Sequence, residues 1–175
     1  MKKKQNGLTL VELMVTLAVA LALLLVGVPQ FRTMLAGNRA AADANKLVVA
    51  MQLARSEAVK RNLPVSVCGK ASDGDNDCDS GDWAEGIVVF VDGSGGTIGN
   101  VDVATDVVRV LDAPEGRPVI ASASNFMRFD PDGSLERPGA PQTLTVHQDG
   151  CVGRNQRTIT ISATGQVDVV AGNCP

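Results

Sequence analysis

The sequence predicts an α+β protein in which one long, kinked N-terminal helix packs against a mainly antiparallel β-sheet. Three observations support this class: an apolar run at Leu8–Val28, an amphipathic helical pattern over Phe31–Arg61, and only short β-type runs after Pro64. Strands that follow a helix without alternating with further helices are typical of α+β proteins and not of α/β proteins.

The first element, Leu8–Val28, follows three lysines at Lys2–Lys4. As a helix with a rise of 1.5 Å per residue it would be about 30 Å long, which matches the hydrocarbon core of a bilayer. The lysines are expected to stay on the cytoplasmic side of the membrane. The run is longer than the apolar core of an ordinary cleaved signal peptide and is not followed by a typical cleavage sequence. We therefore expect a membrane-spanning helix.

Glu12 is the one charged residue of this apolar run. A carboxylate at membrane depth costs about 2.5–3.5 kcal/mol on insertion scales, so a plain anchor does not explain it. One interpretation is a glutamate near the interface that reaches water. The other is a buried carboxylate that pairs with a cation of another chain, because a buried charge is tolerated only when it is paired.

The second half of the helix is predicted to bury one face. Pro29 predicts a kink and not an end, because a helical pattern resumes beyond it. From Phe31 to Arg61 apolar residues recur every three or four positions, and charged and amide residues fill much of the opposite face. The tripeptide at 62–64, which ends in Pro64, is expected to stop the helix.

Beyond Pro64 the sequence consists of short runs rich in β-branched residues, separated by Gly, Pro, Asp and Asn. We predict seven strands: Val65–Cys68, Ile87–Val91, Val107–Leu111, Phe126–Phe129, Thr143–His147, Thr158–Ser162 and Gln166–Val170. The tripeptide at 163–165, which ends in Gly165, predicts a hairpin between the last two strands.

All four cysteines lie outside the apolar run, which fits an oxidising compartment and two disulfides. Four cysteines allow three connectivities. We favour the pairs of near neighbours, Cys68–Cys78 and Cys151–Cys174, because each closes a local loop. A zinc site is less compatible with the sequence, since no Cys-x-x-Cys spacing occurs and His147 is the single histidine.

Composition argues against several function classes. The net charge is −3, and without residues 1–7 there remain 13 basic and 19 acidic side chains, a net charge of −6, so nucleic-acid binding would need a local basic patch. Aromatic residues make up 3% of the chain, which argues against a stacking platform for single strands. No G-x-S-x-G, P-loop or H-E-x-x-H motif is present, so neither an enzyme nor a cofactor is expected. Trp83 is interpreted as a core residue.

The N-terminus resembles the class III signal of type IV pilins and type II secretion pseudopilins. The matching residues are Lys2–Lys4, Gly7 directly before the apolar run, Glu12 five residues later, and Pro29 at the end of the run. The resemblance implies that prepilin peptidase cuts between Gly7 and Leu8 and that the new Leu8 amine is methylated; most of the family has Phe where this chain has Leu8. It also implies that Glu12 pairs with that amine on a neighbouring subunit during assembly.

The remainder of the chain resembles the GspH/FimT/FimU branch of this family. The matching stretches are Val65–Cys68, Trp83–Asp92, Met127–Phe129, Asp132–Gly133, Arg157–Ile161 and Thr164–Val167. The two cysteine pairs favour a minor type IV pilin of the FimU/FimT kind that acts in pilus assembly and twitching, and a type II secretion pseudopilin is the alternative. The resemblance implies a leader at 1–7, a transmembrane half-helix at 8–28, an amphipathic half-helix at 29–62 and a periplasmic β-rich domain at 63–175. It also implies an inner-membrane location before assembly with other minor and major pilins.

The stretch after Cys151 suggests a second hypothesis, which is DNA binding. FimT-type minor pilins include receptors for DNA uptake in natural transformation that carry a Gly-Arg-x-Arg element. Here Gly153 and Arg154 match, and the second arginine, Arg157, lies one position late. Two guanidiniums on a loop closed by a disulfide would suit phosphates. The alternative is that Arg154 is an ordinary surface charge and that Arg157 begins an edge strand.

The acidic segment Asp73–Asp79 suggests a calcium loop, because alternate carboxylates can converge on a hard cation. It departs from the EF-hand pattern at Cys78, where glycine should follow the third ligand, and at Ala84, where glutamate should be twelfth. We favour a solvated acidic loop closed by the Cys68–Cys78 disulfide over a calcium site.

Overall fold

The computed structural model describes residues 9–71, 78, 82–93, 96–114, 116, 118–137 and 141–175. Over this part of the chain, one α-helix, α1 (Leu10–Arg61), precedes nine strands and one short 3₁₀ turn, Ala104–Asp106. All paired strands are antiparallel. The predicted α+β class is confirmed.

Helix α1 begins where the Thr9 hydroxyl accepts the backbone N–H of Glu12 at 3.2 Å, which is a side-chain cap of the first turn. The helix continues through Pro29 and ends at Arg61. The next residue, Asn62, has a φ of 54°, the left-handed conformation that commonly closes a helix. The chain divides into two compact units, one ending at Leu35 and the other beginning at Ala36, and α1 contributes to both.

Two sheets make up the strands of the second unit. The five-stranded sheet has the order β3-β2-β1-β5-β6, and the four-stranded sheet has the order β4-β7-β8-β9. The strands are β1 (Val65–Gly69), β2 (Gly86–Val91), β3 (Val107–Asp112), β4 (Val119–Ser122), β5 (Phe126–Phe129), β6 (Leu135–Arg137), β7 (Gln142–His147), β8 (Gln156–Ile161) and β9 (Val167–Gly172).

Each of the seven predicted strands corresponds to an observed one, and the predicted hairpin joins β8 to β9, with Gly165 at a φ of 74°. The sequence prediction missed β4 and β6. Strand β6 is three residues long and includes two charged side chains, Glu136 and Arg137. Such a segment lacks a periodic pattern, and its pairing with β5 defines it as a strand. The strands are divided between two antiparallel sheets, whereas the sequence analysis described one.

The core lies where one face of α1 meets both sheets. The helix residues of this face are mostly small: Ala44, Leu47, Ala50, Met51, Ala54 and Ala58. They pack in a single cluster with Val67 and Phe129 of the first sheet and Leu144 and Ile159 of the second. Trp83 is fully buried in the same cluster, and its indole N–H donates to the Ser124 carbonyl at 3.3 Å, which confirms its interpretation as a core residue.

Candidate functional site

The N-terminal half of α1 is the first candidate site. Every large apolar side chain between Leu10 and Leu35 is exposed, and the helix is long and apolar enough to cross a membrane, with a mean hydropathy of 2.6 over its most apolar window. Glu12 lies in the first turn of this surface and is itself exposed. Gly7 and Leu8, the expected cleavage and methylation positions, lie outside the described residues.

The apolar surface of this half-helix is suited to contact with other apolar surfaces. Its apolar side chains surround the whole helix, and a helix of this kind is buried only in lipid or among other apolar helices. One carboxylate, that of Glu12, interrupts the surface. In such surroundings a carboxylate is stable only beside a cation. The Glu12 carboxylate can therefore fix the position of a partner, which apolar contacts alone do not.

The second candidate site is the loop that leads into β8, together with the C-terminus. The structure joins Cys151 to Cys174, whose Cα atoms are 5.7 Å apart, and Cys68 to Cys78, at 5.6 Å. These are the favoured pairs of the sequence analysis. The Cys174 N–H also donates to the Gly153 carbonyl at 2.9 Å, so the C-terminus and the loop hold each other in place.

The two arginines of this region donate to backbone carbonyls, Arg154 to one in β9 and Arg157 to two near the start of β8. Arg154 is exposed, and its Nη2 donates to the Ala171 carbonyl at 3.2 Å. Arg157 is half-buried, and its Nη1 donates to the carbonyls of Arg154, at 3.3 Å, and Gln156, at 3.1 Å. Each guanidinium has five N–H donors, so both keep capacity for an anion. The structure thus brings the two arginines together, with Arg157 inside β8 and Arg154 before it.

Sequence reasoning missed the contacts between this region and the helix. Gly37 of α1 is buried, and a Cβ there would lie 2.5 Å from the Asn155 Oδ1. Nearby, the Gln148 Nε2 donates to the buried carboxylate of Asp43 at 2.9 Å. Asp43 is a charged residue on the helix face that also carries buried alanines, and that position is the sequence signal that could have revealed the contact.

A second polar network, also missed, lies in the five-stranded sheet. The buried Asp92 carboxylate accepts a 2.6 Å hydrogen bond from the Ser66 hydroxyl and a 2.9 Å hydrogen bond from the Gly99 N–H. The Arg128 Nε lies 3.6 Å from the same carboxylate and 3.2 Å from that of Glu136. The Arg128 Nη2 also donates to the Asp92 carbonyl at 2.9 Å, so the network fixes the segment after β2 against β5.

Among the residues that the structure describes, Asp130, Asp132 and Glu57 have shifted pKa values. Burial, followed by the nearby charges of Glu136 and Asp132, raises the pKa of Asp130. Hydrogen bonds from Ser134 lower the pKa of Asp132, and the hydrogen bond from Arg61 is the main cause of the lowered pKa of Glu57. Each shift follows from the burial, charges and hydrogen bonds around the carboxyl group itself.

The metal hypothesis is largely outside what the structure describes. Of the acidic segment Asp73–Asp79, only Cys78 is among the described residues, and it is in the disulfide. Elsewhere in the described ranges, no group of three or more His, Cys, Asp or Glu side chains is placed to hold a metal ion. The His147 Nδ1 lies 3.1 Å from the Gln148 carbonyl, where it contributes to the turn after β7.

Known proteins resemble the chain in both sequence and fold. The family described as type II transport protein GspH matches residues 43–165, and the prokaryotic N-terminal methylation motif matches residues 2–28. Comparison with curated proteins finds no match. The crystal structure of the type IV minor pilin FimU of Pseudomonas aeruginosa has a TM-score of 0.59 and 20% identity, with 77% of this chain and 93% of FimU covered.

A second crystal form of that FimU has a TM-score of 0.56 and 21% identity, with 75% of this chain and 96% of FimU covered. At this identity the likeness to FimU shows the fold alone. The GspH match extends over well more than half of the chain, and the methylation motif accounts for the apolar N-terminus. The chain therefore belongs to the GspH family and is a minor type IV pilin or pseudopilin.

Proposed function

We propose that the chain is a minor type IV pilin of the FimU/FimT kind, which takes part in assembling and priming a pilus that supports twitching. Before assembly, residues 8–28 anchor it in the inner membrane with the β-rich domain in the periplasm. The observation that carries the proposal is the fully exposed apolar half of α1, with one carboxylate, Glu12, in its first turn. That surface suits lipid first and a bundle of apolar helices from other pilins afterwards.

Processing of the N-terminus prepares the helix to move from lipid into the pilus. In the proposal, prepilin peptidase cuts after Gly7, removes the three lysines, and leaves a positive amine on Leu8 that is then methylated. The amine of one subunit neutralises Glu12 of its neighbour, so the pair is stable inside an apolar bundle where neither charge would be stable alone. Each added subunit is thereby set in register with the one before it.

Replacement of Glu12 in the bacterium that encodes the chain tests the proposal. We expect Glu12→Gln to be inserted into the membrane and cut at Gly7 but to abolish pilus incorporation, measured by recovery of the subunit in sheared pili and by twitching. Thr16→Ala is the matched control, because the Thr16 hydroxyl bonds only to its own helix, at the Leu13 carbonyl. Normal incorporation and twitching of the Glu12→Gln strain would contradict the proposal.

The same strain set separates the pilus from a secretion system. A deletion strain is scored for twitching, for transformation and for export of type II secretion substrates. Loss of twitching alone supports a pilus subunit. Loss of export with normal twitching would replace the proposal with a GspH-like pseudopilin, for which the role of Glu12 in assembly stays the same.

DNA binding at the loop after Cys151 is the second candidate function. The observation that favours it is that two arginines lie on a segment fixed by the Cys151–Cys174 disulfide, with the Arg157 guanidinium against the backbone carbonyl of Arg154. Two phosphate contacts give weak binding with a salt dependence of about two in log–log slope. Because the chain is acidic overall, this patch would have to act alone.

A mobility-shift assay of the full chain in detergent micelles at low salt tests the loop. We expect Arg154→Gln with Arg157→Gln to abolish any shift of duplex DNA, whereas Arg109→Gln, at an exposed position of β3, leaves it unchanged. DNA binding that survives the double substitution would exclude this loop as the receptor.

A further inference from the structure

A groove runs between the last turns of α1 and the start of β9. Its volume is about 660 Å³, and it is lined by Gln52, Arg55, Val59 and Lys60 on the helix side and by Gly165 and Val167 on the strand side. The lining combines apolar side chains with two cations. Such a surface suits a ligand that is mostly apolar and carries a negative charge.

Arg55 is the distinctive residue of the groove. Two glycine turns, at Gly133 and Gly165, approach its side chain, and a Cβ on either glycine would lie 3.1 Å from the Arg55 Nε. Both glycines have a positive φ, 83° and 74°, so each turn requires glycine for its backbone as well as for the space. Two turns from different sheets thus confine the arginine stem against α1.

Arg55 is half-buried as a residue, and its guanidinium has neither a hydrogen bond nor an ion pair with any described residue. Its helix neighbours differ: Lys60 and Arg61 both pair with Glu57, at 3.4 Å and 2.6 Å. A partly desolvated guanidinium is most stable when a carboxylate or phosphate accepts two of its N–H groups. The groove therefore contains an incomplete ion pair.

Strand β9 begins in the groove and forms one edge of the four-stranded sheet. Among the described strands it pairs with β8 alone. Val169 and Val170 on it are 39% and 59% exposed. Val169 lies on the same face as Val167, because side chains alternate along a strand, so the apolar lining of the groove continues along β9. An open, valine-rich edge is a template for an added strand.

We propose that this groove binds an extended, apolar segment of a neighbouring pilin subunit. The segment pairs with the free edge of β9, and an aspartate or glutamate at its end completes the ion pair with Arg55. Charge complementarity and strand pairing together select this occupant. The Arg55 guanidinium favours an anion, and the free edge of β9 with its valines favours an extended apolar peptide. A free phosphate or a lipid has no peptide backbone to pair with that edge. The nature of the partner rests on the proposed pilin function.

Selection from a random dodecapeptide phage library on the full chain in detergent micelles tests the proposal. We expect enriched peptides to contain one acidic residue next to alternating β-branched residues. A synthetic peptide of the enriched sequence should then bind Arg55→Gln at least tenfold more weakly than the wild type. The matched peptide with Gln or Asn at the acidic position should bind both proteins equally weakly.

Arg39→Gln is the control for charge, because Arg39 is an exposed arginine of α1 outside the groove. Val169→Lys is the second variant, which changes the strand edge without touching Arg55 and should also weaken peptide binding. Melting curves of each variant separate loss of binding from loss of folding. No enrichment, enrichment without an acidic residue, or unchanged binding to Arg55→Gln or to Val169→Lys would each overturn the proposal.

This selection uses the isolated chain, so its outcome is independent of pilus assembly. If the peptides fail to bind, assembly through Glu12 is unaffected. If Glu12→Gln assembles normally, peptide binding to the groove is unaffected in turn.

Discussion

Between Leu10 and Leu35 every large apolar side chain of α1 is exposed, whereas between Ala40 and Ala58 one face of the same helix is fully buried. The first half is built from leucine and valine all around its surface. The second half presents mainly alanine to the core, and small side chains allow both sheets to approach the helix backbone closely. The comparison teaches that apolar content alone does not predict burial within a chain. The distribution of apolar residues around the helix does.

The comparison also separates stability from function. Most of the buried face between Ala40 and Ala58 belongs to the larger of two core clusters, so it contributes to the free energy of unfolding. The half before Leu35 has no residue in either cluster, and in the proposed function its apolar surface contacts lipid or other subunits. Substitutions in the two halves should therefore affect different measurements, and the following predictions test this division from the largest expected effect to the smallest.

The largest effect is expected from matched truncations in the two halves. Met51→Ala removes a fully buried side chain and should lower the free energy of unfolding of the β-rich domain by about 2–5 kcal/mol. Leu21→Ala removes a side chain that is 61% exposed and should leave it unchanged. Denaturant titration of the full chain in detergent, monitored by fluorescence of the buried Trp83, measures both. Equal losses would show that the first half also stabilises the domain.

Sequence patterns were sufficient for elements that carry a periodic or a turn signal. Helix α1, seven strands and the hairpin at Gly165 each have such a signal. The division into two sheets could not be predicted, because alternating strands fit one sheet or two. The contact of Asp43 with Gln148 joins residues 105 positions apart, and no local pattern encodes it.

The candidate sites could be predicted from the sequence to different extents. Glu12 contrasts with its surroundings in the sequence, so it could be identified as a candidate from the residues alone. Arg154 and Arg157 could be identified, but not their hydrogen bonds to backbone carbonyls, which depend on how the loop closes. The position of Arg55 between two glycine turns could not be predicted from a local pattern. Gly133 lies in a turn of the five-stranded sheet, and Gly165 lies in a turn of the four-stranded sheet.

A smaller effect is expected from two glycines of α1 that lie on either side of the boundary between the halves. Gly37→Leu introduces a side chain where a Cβ alone would meet the Asn155 Oδ1 at 2.5 Å, and it should destabilise the domain by about 1–3 kcal/mol. Gly27→Leu is the control, because no atom lies within 4 Å of a Cβ at that position. It should not lower the melting temperature of the domain.

A double substitution sharpens this test. Asn155→Ala removes the atoms that a side chain at position 37 would meet, so it should recover part of the stability lost in Gly37→Leu. Additive losses in the double variant would mean that the clash with Asn155 is not the cause. In that case the loop after Cys151 would not define where the stable domain begins along α1.

The smallest effect concerns charged side chains, which are rare in the first half of α1 and frequent in the domain. Burial and the neighbouring carboxylates raise the pKa of Asp130, so its ionised form destabilises the folded domain at neutral pH. We expect Asp130→Asn to raise the melting temperature at pH 7 only slightly, because solvent screens a partly exposed carboxyl group. The gain should disappear as the pH falls through the raised pKa, because the wild-type carboxyl is then neutral as well.

Asp132, in the same turn, should behave in the opposite way. Hydrogen bonds from Ser134 lower its pKa, so its ionised form stabilises the fold above its usual pKa, and this contribution is lost as the pH falls through the lowered value. Asp132→Asn should therefore lower the melting temperature at pH 7 and have less effect in acid. If both substitutions changed stability in the same direction, the domain would be responding to net charge and not to the surroundings of each carboxylate. Within the domain, as for Glu12 in the apolar half, the effect of a carboxylate depends on what lies beside it.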